Sequence, residues 1–218
     1  MTSNKKITRQ AVSLFHRKIK EAERIAISGH INPDGDCVGA CLGLCAYILD
    51  LDPKKKVDIL LEPISEKFRF LAYADHIMQE KTEEEPYDLY FSLDCSDKER
   101  LGAFQELFEE ARFTICVDHH ISNQGFGDLR FIDADASSTC EILYDILEEK
   151  KISFDTAQCL YLGIVHDTGV FKHSNTTRKV MEIAGALIDK GVRPDFIIDE
   201  TFTVLRVEIW MELSISFG

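Results

Sequence analysis

Short apolar segments alternate with helical patterns along this chain of 218 residues, and three of those segments run directly into ionisable side chains. Residues 24–28 (RIAIS), 56–61 (KVDILL), 88–93 (DLYFSL) and 112–117 (RFTICV) are the apolar segments. Runs of this length predict buried strands. Because helical patterns separate them, we expect an α/β fold with a mostly parallel sheet and helices on both faces.

The predicted helices follow apolar residues that recur every three to four positions. Gly191 is a typical C-cap for the last of these helices, and Pro194 follows soon after it. The predicted helices cover residues 8–22, 35–49, 98–111, 138–149, 155–165 and 177–190.

Composition excludes several classes of protein. A hydrophobic content of 45% is that of a globular chain. A net charge of −13 argues against binding to long stretches of phosphate backbone, which requires a basic surface. No run of about 18 apolar residues occurs, so we expect no transmembrane helix and a cytoplasmic location.

Seven cysteines occur without a C-x-x-C pair, so neither a disulfide framework nor a structural zinc site is indicated. Cys37, Cys41 and Cys45 are spaced by four and share one helical face. Buried small side chains are the favoured interpretation, and a site for a soft metal is the alternative.

The first ionisable cluster follows the segment 24–28 and precedes a predicted helix. It reads HINPDGD and holds His30, Asp34 and Asp36 within one tight loop. Carboxylates this close stay ionised together only near a cation, which favours a metal site. The alternative is that one aspartate merely caps the following helix.

Three further clusters follow the other elements. Asp94 directly follows the segment 88–93, and the triplet at 118–120 (Asp118, His119, His120) directly follows the segment 112–117. Asp167 lies at the end of an apolar helix. Imidazole with carboxylate suits manganese, iron or zinc better than calcium. Parallel strands present their carboxyl ends at one edge of a sheet. Together the clusters predict a site for two divalent ions, an arrangement used in phosphoryl hydrolysis.

These motifs, in this order, resemble the DHH phosphoesterase superfamily (RecJ-like). They are H-x-x-P-D-x-D at 30–36, Asp94 after a strand, D-H-H at 118–120 and D-T-G at 167–169. With the run ASST at 136–139, the chain resembles the branch of nano-RNases, adenosine-bisphosphate phosphatases and cyclic-di-AMP phosphodiesterases.

The resemblance implies a cofactor of two Mn²⁺ ions, with Mg²⁺ or Co²⁺ as alternatives. Asp94 would bridge the two ions. The implied ligands of the first ion are His30, Asp34 and Asp94, and those of the second are Asp36, Asp94, His119 and Asp167.

The resemblance also implies roles beyond the metals. His120 would face the substrate phosphate as a charge donor or general acid, and Asp118 would orient the histidines. Ser137, Ser138 and Thr139 would either contact phosphate or cap the following helix. His166, beside Asp167, is expected either to help shape the site, to hydrogen-bond a ligand, or to have a structural role.

Two departures from the family pattern stand out. Ala40 replaces a serine that is common there, and we expect little effect. No glycine-rich segment typical of the family's C-terminal DHHA1 domain occurs. We therefore expect a catalytic domain at residues 1–200 and the start of a connector at 201–218, with DHHA1 missing.

The expected activity is two-metal hydrolysis of short oligoribonucleotides, of dinucleotides such as pApA or cyclic-di-AMP, or of adenosine 3′,5′-bisphosphate. The expected partners are these small substrates, without long duplex nucleic acid or membrane, and a homodimer is compatible with the resemblance. The alternatives are an inorganic pyrophosphatase or exopolyphosphatase, and a catalytically weak binding module.

Overall fold

Six strands form the sheet of this protein, whose computed structural model describes residues 7–80 and 86–203. The strands are β1 Arg24–Ser28, β2 Lys56–Leu60, β3 Ile77–Met78, β4 Leu89–Leu93, β5 Thr114–Asp118 and β6 Leu129–Ile132. Their order in the sheet is β3-β2-β1-β4-β5-β6, and every neighbouring pair is parallel. The predicted parallel sheet is confirmed.

Helices connect and cover the strands. A π-helical segment, Asp199–Thr203, follows the last α-helix, and four 3₁₀ helices cover Glu66–Phe68, Ala74–His76, Lys98–Phe104 and Glu149–Lys151. The α-helices are α1 Arg9–Glu21, α2 Gly35–Leu51, α3 Gln105–Glu110, α4 Thr139–Ile146, α5 Phe154–Asp167, α6 Arg178–Asp189 and α7 Pro194–Ile198.

Both faces of the sheet are covered, as the sequence predicts. On one face, Ile25, Ile27 and Phe91 belong to the large core that contains residues of α1, α2, α4 and α5. On the other face, Ala26 and Tyr90 lie in a smaller cluster with apolar residues of the 98–104 segment and α3. Alternate residues of one strand thus enter separate cores, because strand side chains point to opposite faces.

Helix α2 is buried on all sides, since every residue from Gly35 to Ile48 is inaccessible to solvent or nearly so. It lies between the sheet and α5, which requires a helix that is apolar around its whole circumference. A Cβ at Gly39 would come within 2.5 Å of the carbonyl oxygen of Cys159 in α5. This close approach lets the first half of α2 pack directly against the backbone of α5.

The predicted elements differ from the observed ones in several places. The single helix expected over 98–111 is a 3₁₀ helix followed by α3, because Gly102 has a φ of 57°. The helix expected over 138–149 is shorter, since it begins after the N-cap Ser138 and ends at Ile146. Strands β3 and β6 were not predicted; both are short and only partly buried.

Two predictions concern the chain's organisation. No helix within residues 7–80 and 86–203 is long and apolar enough to cross a membrane. The expected connector at 201–218 begins within the π-helical segment, and residues 204–218 lie outside the described residues. The boundary between catalytic domain and connector therefore stays a prediction.

Candidate metal centre

The carboxyl ends of three adjacent strands bring the predicted site residues together. Strands β1, β4 and β5 are neighbours and parallel, so the residues that follow them meet at one edge of the sheet. The N-terminus of α2 and the C-terminus of α5 add their carboxylates to the same place. The residues that meet there are His30, Asp34, Asp36, Asp94, Asp118, His119, His120 and Asp167.

Asp94 lies between two histidines. Its Oδ2 is 3.5 Å from Nε2 of His30, and its Oδ1 is 3.5 Å from Nε2 of His119. The residue is buried and has a φ of 56°, a left-handed conformation that aspartate tolerates better than most residues. Its N–H donates to the carbonyl oxygen of Val117, 3.0 Å away, which ties the turn after β4 to β5.

His119 also faces two other carboxylates. Its Nε2 is 3.1 Å from Oδ2 of Asp167 and 3.9 Å from Oδ2 of Asp36. Asp36 is fully buried and accepts hydrogen bonds from the N–H groups of Thr139 (2.6 Å) and Cys140 (3.0 Å). The first turn of α4 therefore holds this carboxylate, since a helix N-terminus presents free N–H groups to an anion.

Asp34 both caps α2 and faces His30. Its Oδ1 accepts hydrogen bonds from the N–H groups of Asp36 (3.0 Å) and Cys37 (3.1 Å), so the capping interpretation is correct. Its Oδ2 remains 3.8 Å from Nε2 of His30. Nδ1 of His30 pairs with the carbonyl oxygen of Ile31 at 2.8 Å. The capping role is therefore observed, and the second carboxylate oxygen faces His30, so a metal-ligand role of Asp34 stays a prediction.

Asp118 fixes the orientation of His120. Its Oδ1 is 2.7 Å from Nδ1 of His120, and its Oδ2 accepts a 2.8 Å hydrogen bond from Nδ2 of Asn123. The same amide group donates to the carbonyl oxygen of Cys95 at 2.9 Å. Asn123 was missed from the sequence because it lies in a polar loop, with nothing in its surroundings to distinguish it from a solvated residue.

The electrostatics of the centre favour a bound cation. Burial and the charges of Asp94 and Asp167 raise the pKa of Asp36 well above its usual range. Burial also raises the pKa of Asp167. Carboxylates that repel one another in a buried place stay ionised when positive charge is supplied, and divalent ions supply it.

The histidines provide part of this charge. Burial opposes charging of His30, but hydrogen bonds to Asp34 and Asp94 outweigh it and raise its pKa to about 11. Burial likewise opposes charging of His119, and its carboxylate neighbours raise its pKa to about 10. Carboxylates that stabilise a protonated imidazole would also stabilise a metal cation in its place. The imidazole and carboxylate groups present are therefore a donor set that fits the predicted metal centre.

Three groups of side chains, among the described residues, could each hold an ion. Within each group the ligand atoms lie no more than 4.8 Å from one another. Cys37 was not predicted as part of the centre. All seven cysteines are free and buried, which agrees with the interpretation of Cys37, Cys41 and Cys45 as buried small side chains. The groups are His30, Cys37 and Asp94; Asp94, His119 and His120; and Asp36, His119 and Asp167.

The serines that precede α4 have different surroundings. Oγ of Ser138 accepts a 3.1 Å hydrogen bond from the N–H of Glu141, so this residue caps α4. Oγ of Ser137 is buried and has no hydrogen-bond partner among the described residues. Thr139 instead contacts Asp94 through its hydroxyl group, 3.0 Å from Oδ1. A phosphate contact from the two serines stays a prediction.

His166 lies behind the centre rather than in it. Its ring packs against Phe68 and Phe202, at centroid distances of 5.3 and 4.5 Å. A Cβ at Gly35 would collide with this ring. The histidine therefore shapes the wall behind the N-terminus of α2, which is one of the roles expected for it.

Comparison with known proteins gives a consistent result. The model of the DHH family, N-terminal domain, matches residues 24–164. The bifunctional oligoribonuclease and PAP phosphatase NrnA of Bacillus subtilis is 31% identical over 177 residues, which cover 79% of this chain. The match covers 55% of that enzyme, so the chain spans about half the length of the curated relatives it matches.

Two solved structures share the fold. An exopolyphosphatase-related protein from Bacteroides fragilis superposes with a TM-score of 0.83 and 23% identity, over 92% of this chain and 62% of that one. The exonuclease RecJ, solved with manganese bound, superposes with a TM-score of 0.53 and 15% identity, over 90% of this chain and 55% of that one. At these identities the likeness concerns the fold alone.

Proposed function

This chain belongs to the DHH family, and we propose that it is a two-metal phosphoesterase acting on short oligoribonucleotides, dinucleotides or adenosine 3′,5′-bisphosphate. The family predicted from the four motifs is confirmed, and so is the resemblance to the oligoribonuclease and PAP phosphatase branch. The B. subtilis relative, an oligoribonuclease and PAP phosphatase by name, supports oligoribonucleotides and adenosine 3′,5′-bisphosphate among these substrates.

The position of Asp94 is the observation that carries this proposal. Its Oδ2 is 3.5 Å from Nε2 of His30, and its Oδ1 is 3.5 Å from Nε2 of His119 and 3.6 Å from Nδ1 of His120. The two oxygens thus face different histidines, and such a carboxylate would be placed to serve two ions. In the proposed centre, Asp94 joins two sets of ligands. The first set is His30, Asp34 and Asp94, and the second is Asp36, Asp94, His119 and Asp167.

Two divalent ions, manganese in this proposal, would neutralise the phosphate and activate a water molecule for attack on phosphorus. The neighbouring groups prepare the centre for them. Thr139 and Cys140 hold Asp36 through their N–H groups, and Thr139 holds Asp94 through its hydroxyl. These contacts fix both carboxylates before substrate arrives.

His120 is the proposed group that meets the substrate. Its hydrogen bond to Asp118 raises its pKa, so the ring keeps a positive charge to higher pH than an ordinary histidine. With Nδ1 engaged by Asp118, Nε2 is free to donate a proton to a phosphate oxygen or to the leaving oxygen. Its side chain is 37% exposed, the most accessible of the three histidines in the centre.

The charge of the protein limits the proposed substrates in size. At −13, the chain has no excess of basic residues with which to hold a long phosphate backbone. Five negative charges lie in the centre itself, on Asp34, Asp36, Asp94, Asp118 and Asp167, and two divalent ions would offset four of them. A substrate of a few nucleotides is therefore favoured.

A substrate panel tests the proposal. The chain is incubated with manganese and, separately, with pApA, cyclic-di-AMP, adenosine 3′,5′-bisphosphate and pyrophosphate, and the release of AMP or phosphate is measured. We expect hydrolysis of a nucleotide substrate and little release from pyrophosphate. Hydrolysis of pyrophosphate alone would establish the alternative, a pyrophosphatase, and no release from any substrate would overturn both.

A further inference from the structure

We propose that Cys37 is a sulfur ligand of the first ion, so that this position prefers thiophilic divalent ions such as Co²⁺ over Mn²⁺. The inference rests on the proposed two-metal centre and adds a residue to it. It also distinguishes the two ion positions by their chemistry.

The geometry places the sulfur beside two ligands of the first ion. Cys37 lies in the first turn of α2, three residues after the N-cap Asp34. Side chains in a helix lean towards its N-terminus, which here begins at the metal centre. The sulfur of Cys37, a ring nitrogen of His30 and a carboxylate oxygen of Asp94 all lie within 4.8 Å of one another. Ligand atoms at such separations can share one ion.

The sulfur is held in this place by the backbone of the strand end. A Cβ at Gly29, directly after β1, would collide with it, so the glycine leaves the space that the sulfur fills. The thiol makes only a long hydrogen bond, 4.0 Å, to the carbonyl oxygen of His30, and interacts with the thiol of Cys41. Both are weak contacts that a metal–sulfur bond would readily replace.

Binding would exchange a proton for a metal ion. The metal–sulfur bond forms as the S–H bond breaks, and the proton leaves to solvent without any change in oxidation state. The first position then offers sulfur, nitrogen and oxygen, a set that suits cobalt, iron or zinc. The second position offers only nitrogen and oxygen, from His119 and three aspartates, which suits manganese. The two positions therefore differ in the divalent ions that they prefer.

Cobalt substitution tests the assignment through a signal that only a thiolate ligand gives. The metal-free chain is titrated with Co²⁺ while near-ultraviolet absorption and bound cobalt are followed. We expect a sulfur-to-cobalt charge-transfer band in the wild-type chain that is lost in Cys37→Ser. Cys41→Ser, one turn further along the same buried helix face, is the matched control and should keep the band.

Affinity gives a second measurement. Loss of a ligand should weaken cobalt binding in Cys37→Ser by at least about 10-fold and change manganese binding less. Cys37→Ala, with its thermal unfolding measured, replaces Cys37→Ser if the serine variant does not fold.

A failure of the proposed role of Cys37 can be distinguished from a failure of the proposed function. Cobalt bound at two ions per chain without the band, or with a band that persists in Cys37→Ser, would overturn the role of Cys37 and leave the proposed function standing. Absence of any bound cobalt would overturn this role, and absence of manganese-dependent hydrolysis would overturn the proposed function.

Discussion

Thr139 donates a 3.0 Å hydrogen bond from its hydroxyl group to Oδ1 of Asp94, although 45 residues separate them in the chain. Its N–H group donates to Oδ2 of Asp36 at the same time. One residue at the start of α4 therefore positions two carboxylates that belong to the proposed metal centre. Because both contacts are buried, they keep the carboxylates fixed in the absence of a cation.

Thr139→Val should weaken manganese binding by about 10- to 100-fold, because it removes the hydroxyl that orients Asp94 and keeps the N–H that holds Asp36. Calorimetric titration with Mn²⁺ measures this change. Thr139→Ser keeps the hydroxyl and is the matched control, expected to bind manganese nearly as well as the wild type. Equal affinity in the valine variant would mean that Asp94 needs no such partner.

His120→Ala should lower the rate of hydrolysis by about 10²- to 10⁴-fold, the usual range for loss of a general acid. Its manganese content should stay close to that of the wild type, because the group is assigned to substrate rather than to metal. Metal analysis and steady-state kinetics on the same sample decide this. If metal content falls in parallel with the rate, His120 is a ligand instead, as one of the three groups of the centre allows.

Two glycines in helices should respond oppositely to alanine. A Cβ at Gly163 in α5 would collide with the sulfur of Cys140 and come within 2.5 Å of Oδ1 of Asp36, so Gly163→Ala should destabilise the fold by about 1–3 kcal/mol. Gly185 in α6 faces open space, and Gly185→Ala should stabilise it by about 1 kcal/mol. Urea unfolding compares the two variants. A stabilised Gly163→Ala would show that α5 can move away from the centre.

The stability of the metal-free chain should depend on His166 in mild acid. Burial, with a smaller effect from Lys67, lowers the pKa of this histidine from 6.5 to about 4. Between these values the unfolded chain binds a proton that the folded chain does not, so the contribution of His166 is complete above pH 6.5 and is lost as the pH falls towards 4. Replacing His166 with a residue that does not titrate should therefore make the free energy of unfolding fall less steeply as the pH decreases.

Urea unfolding at pH 7 and pH 5 of the wild type and of His166→Leu measures this effect. The free energy of unfolding should fall less in the variant than in the wild type. An equal fall in both would show that the decline comes from other groups.

The buried strands were predictable from the sequence, and the edge strands were not. The strand predicted at 24–28 has the observed bounds of β1, because a run buried on nearly all sides carries a strong apolar signal. The short strands β3 and β6 are partly exposed at the two edges of the sheet, where composition does not distinguish a strand from a loop. At Gly102, a Cβ would come within 2.6 Å of Cγ2 of Ile31, a contact between distant parts of the chain that the local sequence does not reveal.

That the ionisable residues of the centre lie close together was likewise predictable, because each lies at or beside the end of an element that reaches the same edge of the sheet. Their supporting partners were not. Thr139 was expected to cap a helix or to contact phosphate, and its bond to Asp94 depends on how α4 packs. Asn123 and Cys37 reach the centre through loop and helix geometry that spacing alone does not specify.

Electron paramagnetic resonance of the manganese-loaded chain tests most directly whether Asp94 is shared between two ions. Two ions about 3.5–4 Å apart, bridged by a carboxylate, should give an exchange-coupled spectrum. We predict two bound manganese ions per chain with such a spectrum, and loss of both the coupling and the hydrolysis of pApA in Asp94→Asn. One ion per chain, uncoupled ions, or a coupled spectrum that survives in Asp94→Asn would contradict the proposed centre.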